Sequence, residues 1–500
     1  MTGSDAVRRA SSGTLVGAFL GASVLLSLPT ASGSVVQAVV SYDGSAPHVD
    51  GISTVGTLPA LHMAVVRGRE GAMAQLARTP GVRGLDRDNA VRLDSDDDSG
   101  IGVRAVLAST GLGGDAGQDG AGSGVRVALL DTGVSNTPAL NRASGRLVDA
   151  VDASKPGELR YGGVYRDGFG HGTFMASVLA GGSVRGTRGQ NVGIAPGATV
   201  LNVRVAKQDG TTSLSRVLGG LEWVYENPDS VDVVNLALSH DRPEEAYGAD
   251  PLTDAVEAVR NQGVTVVVAA GNEAGTLGDP GFDPSVLTVG ALNARTGRVA
   301  AFSGSGDVDG YAKPDVVANG VDILGLLPEG SVIESSPATR HLAFGLFRGS
   351  GTSQATAVTS GLAAILLAAH PEATPAQVKA SLRCAATNVR GHRDGAGAVQ
   401  TTTTLCSDAD GQALDGSGDL TGEADFDASS WSASSWGASS WGASSWAASS
   451  WAASSWGASS WAASSWSASS WGASSWSASS WAGSDWGCDG DCPSDGTDAS

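Results

Sequence analysis

Between residues 101 and 404 the sequence alternates short valine-rich runs with longer segments of helical periodicity. The runs lie at residues 125–130, 199–205, 231–236 and 264–270, and helices are predicted at about 214–226 and 252–262. Strands that are apolar almost throughout are typical of a parallel sheet that helices cover on both sides. The pattern therefore predicts an α/β fold with a doubly wound, mostly parallel sheet and helices on both faces.

Two polar residues lie where such a sheet places its functional groups, beyond the carboxyl ends of the strands. Asp131 directly follows the run 125–130, in an Asp-Thr-Gly sequence, and Asn272 follows the run 264–270, in Ala-Gly-Asn. Each residue taken singly is equally typical of a turn or a helix cap.

Two further motifs each stand at the start of a predicted helix. Ser353, in Gly-Thr-Ser, precedes the apolar run 361–369, so it is predicted at a helix N-terminus, where free N–H groups favour developing negative charge. His171, in Gly-His-Gly-Thr, opens the apolar run 174–180, and its neighbouring glycines leave room beside the ring. Alone, a Gly-Thr-Ser sequence is also typical of a helix cap, and a lone histidine is usually structural.

Together the four residues suit nucleophilic catalysis by a serine. A neutral imidazole takes the proton of a serine hydroxyl and returns it to the leaving amine. A buried carboxylate fixes the imidazole tautomer and stabilises the imidazolium. The Asn272 amide and the Ser353 backbone N–H are suited to bind the oxyanion of a tetrahedral intermediate.

The four motifs, in the order Asp131, His171, Asn272 and Ser353, resemble those of the subtilisin-like serine peptidases. Residues 192–198 and 231–236 match the family as well, and the resemblance covers about residues 125–385. It implies a subtilisin-like fold and a serine endopeptidase with polypeptide substrates. In it, Asp131 would be the orienting acid, His171 the general base, Ser353 the nucleophile and Asn272 the oxyanion donor.

The same resemblance implies where a substrate would lie. An extended peptide would add a strand along one segment, and a second segment would wall the pocket for the residue before the scissile bond. The first segment is Ala237, Leu238 and Ser239, and the second is Ala269, Ala270 and Gly271. The family often has glycine where this chain has Ser239, which argues against a preference for large aromatic residues.

The N-terminus predicts export. Arg8 and Arg9 precede an apolar segment at residues 15–28, and small residues follow to Gly33. This is the layout of a secretory signal peptide, and a segment of about 15 residues is shorter than the roughly 20 that a spanning helix needs. Residues 1–33 are therefore predicted to be removed and the protein to be secreted.

A small α+β unit is predicted at residues 34–93, with strands at 35–40 and 61–66 and a helix at 71–78. The family resemblance implies that this unit is an inhibitory propeptide, and thus a partner of the peptidase domain. Residues 94–100 form an acidic, exposed linker suited to cleavage. The subtilisin-like peptidase domain is predicted at residues 101–404.

The C-terminal part has no apolar periodicity. Residues 405–430 form an acidic, Gly-rich linker, and from Trp431 to Trp486 tryptophan recurs every five residues among Ser, Ala and Gly. A step of five makes no one-sided stripe on a helix or a strand, so residues 431–486 are predicted to be a disordered low-complexity tail. Residues 487–500 form an acidic, Cys-containing C-terminus.

The repeats also admit a different reading of the whole protein. Evenly spaced indoles suit weak, multivalent binding to a cell-surface glycan or protein. On that alternative the chain is a surface-binding or adhesive protein, retained at the cell surface, whose protease domain mainly performs its own maturation.

Charge and cysteine content limit the classes of partner and predict disulfide bonds. The net charge is −20, with 51 acidic and 31 basic residues, which argues against nucleic acid. In an exported chain the four cysteines are expected to pair, and the pairs nearest in sequence are Cys384–Cys406 and Cys488–Cys492. No cofactor is indicated. Structural calcium is common in the resembled family, but no loop has convincing ligand spacing, so the sequence assigns no metal ligand.

Overall fold

The computed structural model describes residues 34–44, 46–88, 92–93, 116–185, 187, 189–240, 250–308, 311–336, 339, 342, 345–389 and 393–407. The predicted signal peptide (1–33), acidic linker (94–100), repeat tail (431–486) and C-terminus (487–500) lie outside the described residues, and so does the predicted pair Cys488–Cys492.

The N-terminal unit is a four-stranded antiparallel sheet with one helix. Its strands are β1 (Val35–Tyr42), β2 (Ile52–Leu58), β3 (Met63–Arg69) and β4 (Val82–Arg87), in the order β2-β3-β1-β4, and α1 (Glu70–Leu76) covers one face. The sequence predicted β1, β3 and the helix but missed β2 and β4. Strand β2 lies at the edge and is mostly exposed, so it carries no apolar run.

A nine-stranded, mostly parallel sheet forms the centre of the molecule. Its strands are β6 (Arg126–Asp131), β7 (Leu147–Lys155), β8 (Glu158–Arg160), β9 (Thr199–Arg204), β10 (Val233–Leu236), β12 (Thr265–Ala269), β13 (Leu287–Asn293), β14 (Arg298–Val299) and β17 (Val316–Asn319). The order is β14-β13-β12-β10-β6-β9-β7-β8, and β17 pairs with β13. Only β8 and β14 run antiparallel to their neighbours in this sheet. The predicted parallel sheet is therefore confirmed.

Helices cover both faces of this sheet. They are α2 (His171–Ala180), α3 (Leu214–Glu226), α4 (Pro251–Asn261), α5 (Thr352–Ala369) and α6 (Pro375–Cys384). Along β6, Val127 and Leu129 pack with α2 and α5, while Ala128 and Leu130 pack with α3 and α4 on the other face. Helix α5 is apolar enough to suit a membrane span, but 89% of that stretch is buried inside the protein, so it is a core helix.

The remaining strands form three short antiparallel pairs. They are β5 (Arg92–Leu93) with β11 (Leu238–Ser239), β15 (Gly306–Val308) with β16 (Tyr311–Lys313), and β18 (Ile323–Leu326) with β19 (Leu346–Gly349). The predicted disulfide Cys384–Cys406 is confirmed, with a Cα–Cα distance of 6.3 Å.

The N-terminal unit packs on the outer surface of α3 and α4. Residues Leu58, Leu61 and Met63 belong to the same buried cluster as the apolar faces of these helices. Strand β5, which follows this unit in the chain, pairs with β11, the strand that follows β10. The N-terminal part of the chain therefore contacts the central domain both at the helices and at β11.

Candidate active site

A buried carboxylate and a buried imidazole face each other at the end of β6. Asp131 is the last residue of the strand and His171 is the first residue of α2, and each is only 1% exposed. His171 Nδ1 lies 2.8 Å from Asp131 Oδ1 and 2.9 Å from Oδ2. A proton on Nδ1 therefore donates to the carboxylate, which leaves Nε2 as the basic nitrogen of the ring.

Two glycines permit this approach. A Cβ on Gly172 would lie 2.2 Å from the carbonyl oxygen of Gly133 and 3.1 Å from Asp131 Cβ. Gly133 itself has a φ of +107°, and a Cβ there would lie 2.9 Å from two backbone carbonyl oxygens. The strand end and the helix start therefore meet at backbone contact distance, which only glycine allows.

The register of the sheet brings Ser353 to the same edge. Strands β6 and β10 pair in parallel as far as Leu129 opposite Asn235, and Asp131 and Ala237 each follow two residues later at this edge of the sheet. The Ser353 hydroxyl donates to the Ala237 carbonyl at 2.9 Å. Ser353 therefore lies beside the chain that neighbours Asp131.

The first turns of α2 and α5 are also neighbours. A Cβ on Gly349 would meet both Gln354 Nε2 at 2.7 Å and Phe174 Cζ at 3.2 Å. Gln354 follows Ser353 directly, and Phe174 lies one turn after His171. The two helix N-termini thus converge, and Ser353 occupies the second position of α5, where backbone N–H groups lack intrahelical acceptors.

Asn272 is held by the same helix N-terminus. Its Oδ1 accepts hydrogen bonds from the backbone N–H of Thr352 at 2.9 Å and from the Thr352 hydroxyl at 3.0 Å. Because the carbonyl side of the amide faces Thr352, the NH2 side points the other way as a donor. The structure therefore places the Asn272 side chain at Thr352, the residue that precedes Ser353.

The predicted peptide-binding segment does pair with an extended chain. Leu238 pairs with Leu93 and Ser239 with Arg92, in antiparallel orientation, so β5 occupies the edge where a substrate was expected. Ala237 immediately precedes this pair and accepts the Ser353 hydroxyl. Main-chain pairing at this edge is what strand addition by a peptide requires.

The pocket expected beside this strand is narrow. A Cβ on Gly278 would lie 2.4 Å from Ser239 Cβ, and a Cβ on Gly271 would lie 3.8 Å from Ser239 Oγ. The Gly278 N–H also donates to the Ala270 carbonyl at 3.0 Å. The side chain of Ser239 therefore packs against Gly278, which is itself hydrogen-bonded to the expected wall at residues 269–271.

His240 ends the same segment and is buried. It exchanges two backbone hydrogen bonds with Asp279, at 2.9 and 3.0 Å, and its ring forms a 3.6 Å ion pair with the Asp279 carboxylate. Burial lowers the pKa of His240, but the carboxylates of Asp279, Asp86 and Asp250 outweigh burial and raise the pKa to about 9. Its positive charge therefore persists at neutral pH.

Sequence reasoning missed Asp167, which the structure places at the start of α2. This carboxylate is buried and accepts hydrogen bonds from the side chains of Thr132 and Thr173, each at 2.8 Å. The signal in the sequence was its position four residues before His171 in a Gly-rich run, where an aspartate is typical of a helix cap.

Among the described residues, no group of three or more His, Cys, Asp or Glu side chains is arranged to hold a metal ion. A base, a hydroxyl and two amide donors at one sheet edge suit attack on a carbonyl carbon.

Comparison with known proteins gives the family and supports the fold. The sequence model of the subtilase family matches residues 122–404, more than half of the chain. The structure is similar to the crystal structure of fervidolysin from Fervidobacterium pennivorans, a keratinolytic enzyme related to subtilisin. The TM-score is 0.56 at 21% identity, over 75% of this chain and 61% of that chain. At this identity the likeness concerns the fold.

Relatives were also found by sequence. Serine protease AprX of Bacillus subtilis (strain 168) is 36% identical over 43% of this chain and 52% of its own length. The extracellular serine proteinase of Thermus sp. (strain Rt41A) is 34% identical over 48% of this chain and 50% of its own length. Subtilisin of Bacillus pumilus is 33% identical over 45% and 72%, respectively. The chain thus spans about half the length of several curated relatives.

We expect Gly172→Ala to destabilise the protein by about 1–3 kcal/mol, because the added methyl group meets a backbone oxygen that has no room to move. The control is Gly219→Ala inside α3, where the new Cβ would meet its nearest atom at 3.4 Å and helix propensity should improve. Urea unfolding measures both free energies. Equal effects of the two substitutions would contradict the close-approach argument.

Proposed function

This chain belongs to the subtilase family, and from that premise we propose that it is a secreted serine endopeptidase that acts through an acyl-enzyme. In this proposal Ser353 is the nucleophile, His171 the general base and Asp131 the carboxylate that orients it. The observation that carries the proposal is the buried contact of His171 with both Asp131 oxygens, at 2.8 and 2.9 Å.

The proposed reaction begins with rotation of the Ser353 hydroxyl away from the Ala237 carbonyl. His171 Nε2 takes the hydroxyl proton as Oγ bonds to the substrate carbonyl carbon, and the Asp131 carboxylate stabilises the imidazolium. The oxyanion is bound by the Asn272 NH2 and the Ser353 backbone N–H. The carbon–nitrogen bond then breaks, the amine leaves with the proton from His171, and water releases the acyl group by the same steps.

Replacing Ser353 with alanine is expected to reduce peptide hydrolysis to background, because no other group supplies the attacking oxygen. The matched control is Ser360→Ala, two turns further along α5, whose hydroxyl donates to Asn235 at 2.9 Å. Circular dichroism should show both variants folded, and hydrolysis of a fluorogenic peptide separates them. Hydrolysis by Ser353→Ala at the wild-type rate would show that Ser353 is not the nucleophile.

We also propose that the residue before the scissile bond is small. The support is the packing of Ser239 against Gly278 and Gly271, which fills the space between the two expected walls. A large aromatic side chain has to displace Ser239 or one of these backbones to enter.

A Ser239→Gly variant is therefore expected to gain about tenfold or more in kcat/KM for a substrate with phenylalanine at that position, relative to the matched alanine substrate. The control variant is Ser239→Ala, which keeps the Cβ and loses only the hydroxyl, so it should retain the preference for alanine. If wild type already prefers phenylalanine, the pocket is not closed by this residue.

Residues 34–93 are proposed to act as an inhibitory propeptide that occupies this site. Support comes from the pairing of β5 with β11 and from Asp88, which accepts hydrogen bonds from the Ser215 N–H at 2.7 Å and its hydroxyl at 2.6 Å, at the N-terminus of α3. On the same helix the backbone N–H of Ala60 donates to Glu222 at 3.3 Å.

The Glu222 contact makes inhibition depend on pH. Burial raises the pKa of the Glu222 carboxyl to about 7 from 4.5; the N–H of Ala60 opposes the rise and the charge of Glu226 adds to it. On the proposal that residues 34–93 supply this burial, the bound state favours the protonated carboxyl, so binding is strongest below pH 4.5 and weakens as the pH rises through 7. Burial raises the pKa of Tyr42 and of Tyr161, and the charge of Glu222 adds to both shifts.

We expect a peptide of residues 34–93, added to the mature enzyme, to inhibit at micromolar concentration and to bind about tenfold or more weakly at pH 8 than at pH 5. Glu222→Gln should flatten this pH dependence, whereas Glu329→Gln, at an exposed site away from the segment, should leave it intact. Inhibition constants at both pH values provide the measurement. An unchanged slope in Glu222→Gln would show that another group is responsible.

Secretion is part of the proposal because residues 1–33 have the layout of a signal peptide and because a similar protein from Thermus sp. is named an extracellular serine proteinase. Intact-mass and N-terminal analysis of the protein from culture medium, beside the Ser353→Ala variant, would reveal both export and self-cleavage.

A further inference from the structure

A second buried carboxylate, Asp167, lies on the other side of Thr132 from Asp131. It is 3% exposed and precedes α2 by four residues. Its Oδ1 accepts from the Thr132 hydroxyl at 2.8 Å, the Phe169 N–H at 3.1 Å and the Gly170 N–H at 2.7 Å. Its Oδ2 accepts from the Thr173 N–H and hydroxyl, both at 2.8 Å.

Each of the two threonine hydroxyls also accepts a backbone hydrogen bond. The Thr132 oxygen accepts the Gly172 N–H at 2.9 Å, and the Thr173 oxygen accepts the Ser135 N–H at 3.0 Å. Each hydroxyl has one proton, so each directs it to the nearest carboxylate, Asp167. For Thr132 that distance is 2.8 Å, against 3.3 Å to Asp131 Oδ1.

The network joins the two elements that carry the proposed acid and base. Thr132 follows Asp131, and its backbone N–H donates to Asp131 Oδ1 at 2.7 Å. Gly170 and Thr173 flank His171 on either side. A displacement of Asp167 would therefore move the start of α2 relative to the end of β6. Because His171 begins α2 and Asp131 ends β6, it would change the distance between these two side chains.

We propose that Asp167 is a positioning residue for the catalytic pair: it sets the spacing of Asp131 and His171, and its negative charge favours the imidazolium that forms when His171 takes the serine proton. This inference rests on the proposed function of Ser353. All five hydrogen bonds that described residues give to the Asp167 carboxylate come from N–H or O–H donors, as an ionised carboxylate requires.

Burial and hydrogen bonding act on this carboxylate in opposite directions. Burial raises the pKa of Asp167 and outweighs the donors from Gly170, Thr173 and Thr132, which lower it, so the pKa lies above its ordinary value. An asparagine has nearly the same shape, but its NH2 group would face donors on whichever side it lies. Asp167→Asn therefore removes both the charge and part of the positioning network.

The test compares kcat, KM and pH profiles of the secreted, matured wild type and Asp167→Asn. We expect kcat to fall about tenfold or more with KM within about twofold of wild type, because the pair is displaced and not the substrate strand. Loss of a nearby negative charge destabilises the imidazolium, so the acid limb of kcat/KM should move to lower pH by about half a unit or more.

Two neutral substitutions separate positioning from charge. Thr132→Val cuts the link between β6 and Asp167 but leaves the carboxylate, so kcat should fall without a shift of the acid limb. Thr359→Val is the matched control, because its buried hydroxyl donates to Ala355 inside α5, far from the network. If Asp167→Asn does not mature, Thr132→Val and Thr173→Val test the same network with the charge retained.

A measurement without turnover keeps this inference separate from the proposed function. In the Ser353→Ala background, the imidazole of His171 can be titrated by NMR with Asp167 or with Asn at position 167. A lower imidazole pKa in the Asn form supports the proposal. Wild-type kcat, pH profile and imidazole pKa in Asp167→Asn would overturn it, whereas an inactive wild type would overturn only the proposed function.

Discussion

The contact between the Asp131 carboxylate and the His171 imidazole is the interaction on which the rest of the site depends. Both side chains are buried, and a charge in such surroundings is stable only when it is paired and hydrogen-bonded. The pair forms because Gly172 lets the start of α2 meet the end of β6 at backbone distance. The sheet and the helix together therefore hold the imidazole in a single tautomer.

The parallel sheet supplies the other half of the site through its register. Strands β6, β10 and β12 end at one edge, which puts Asp131, Ala237 and the segment leading to Asn272 next to one another. Helix α5 then adds its N-terminus at that edge, with Thr352 holding the Asn272 carbonyl and Ser353 bonded to Ala237. Groups that are far apart in sequence converge because consecutive parallel strands must all finish on the same side.

Much of this was predictable from the sequence, for local reasons. Helix α3 has the bounds that its apolar periodicity predicts, and the strands before Asp131 and Asn272 are valine-rich runs that no surface segment would carry. The missed features depend on contacts distant in sequence. Strand β2 is exposed and has no apolar run. The contact of Ser239 with Gly278 requires the chain to fold back over residues 271–278, which no local pattern encodes.

The strand edge that binds substrate in the proposed mechanism is the edge that β5 occupies. Main-chain pairing does not distinguish the two occupants, so the proposed inhibition by residues 34–93 also depends on contacts elsewhere, such as Asp88 at the N-terminus of α3. While the chain is continuous, these contacts need only be weak, because the segment is present at a high effective concentration. Cleavage in residues 94–100 would remove that advantage. The distant contacts on α3 would then determine how long the proposed inhibitor stays bound. The pairing of β5 with β11 would last only as long as those contacts hold.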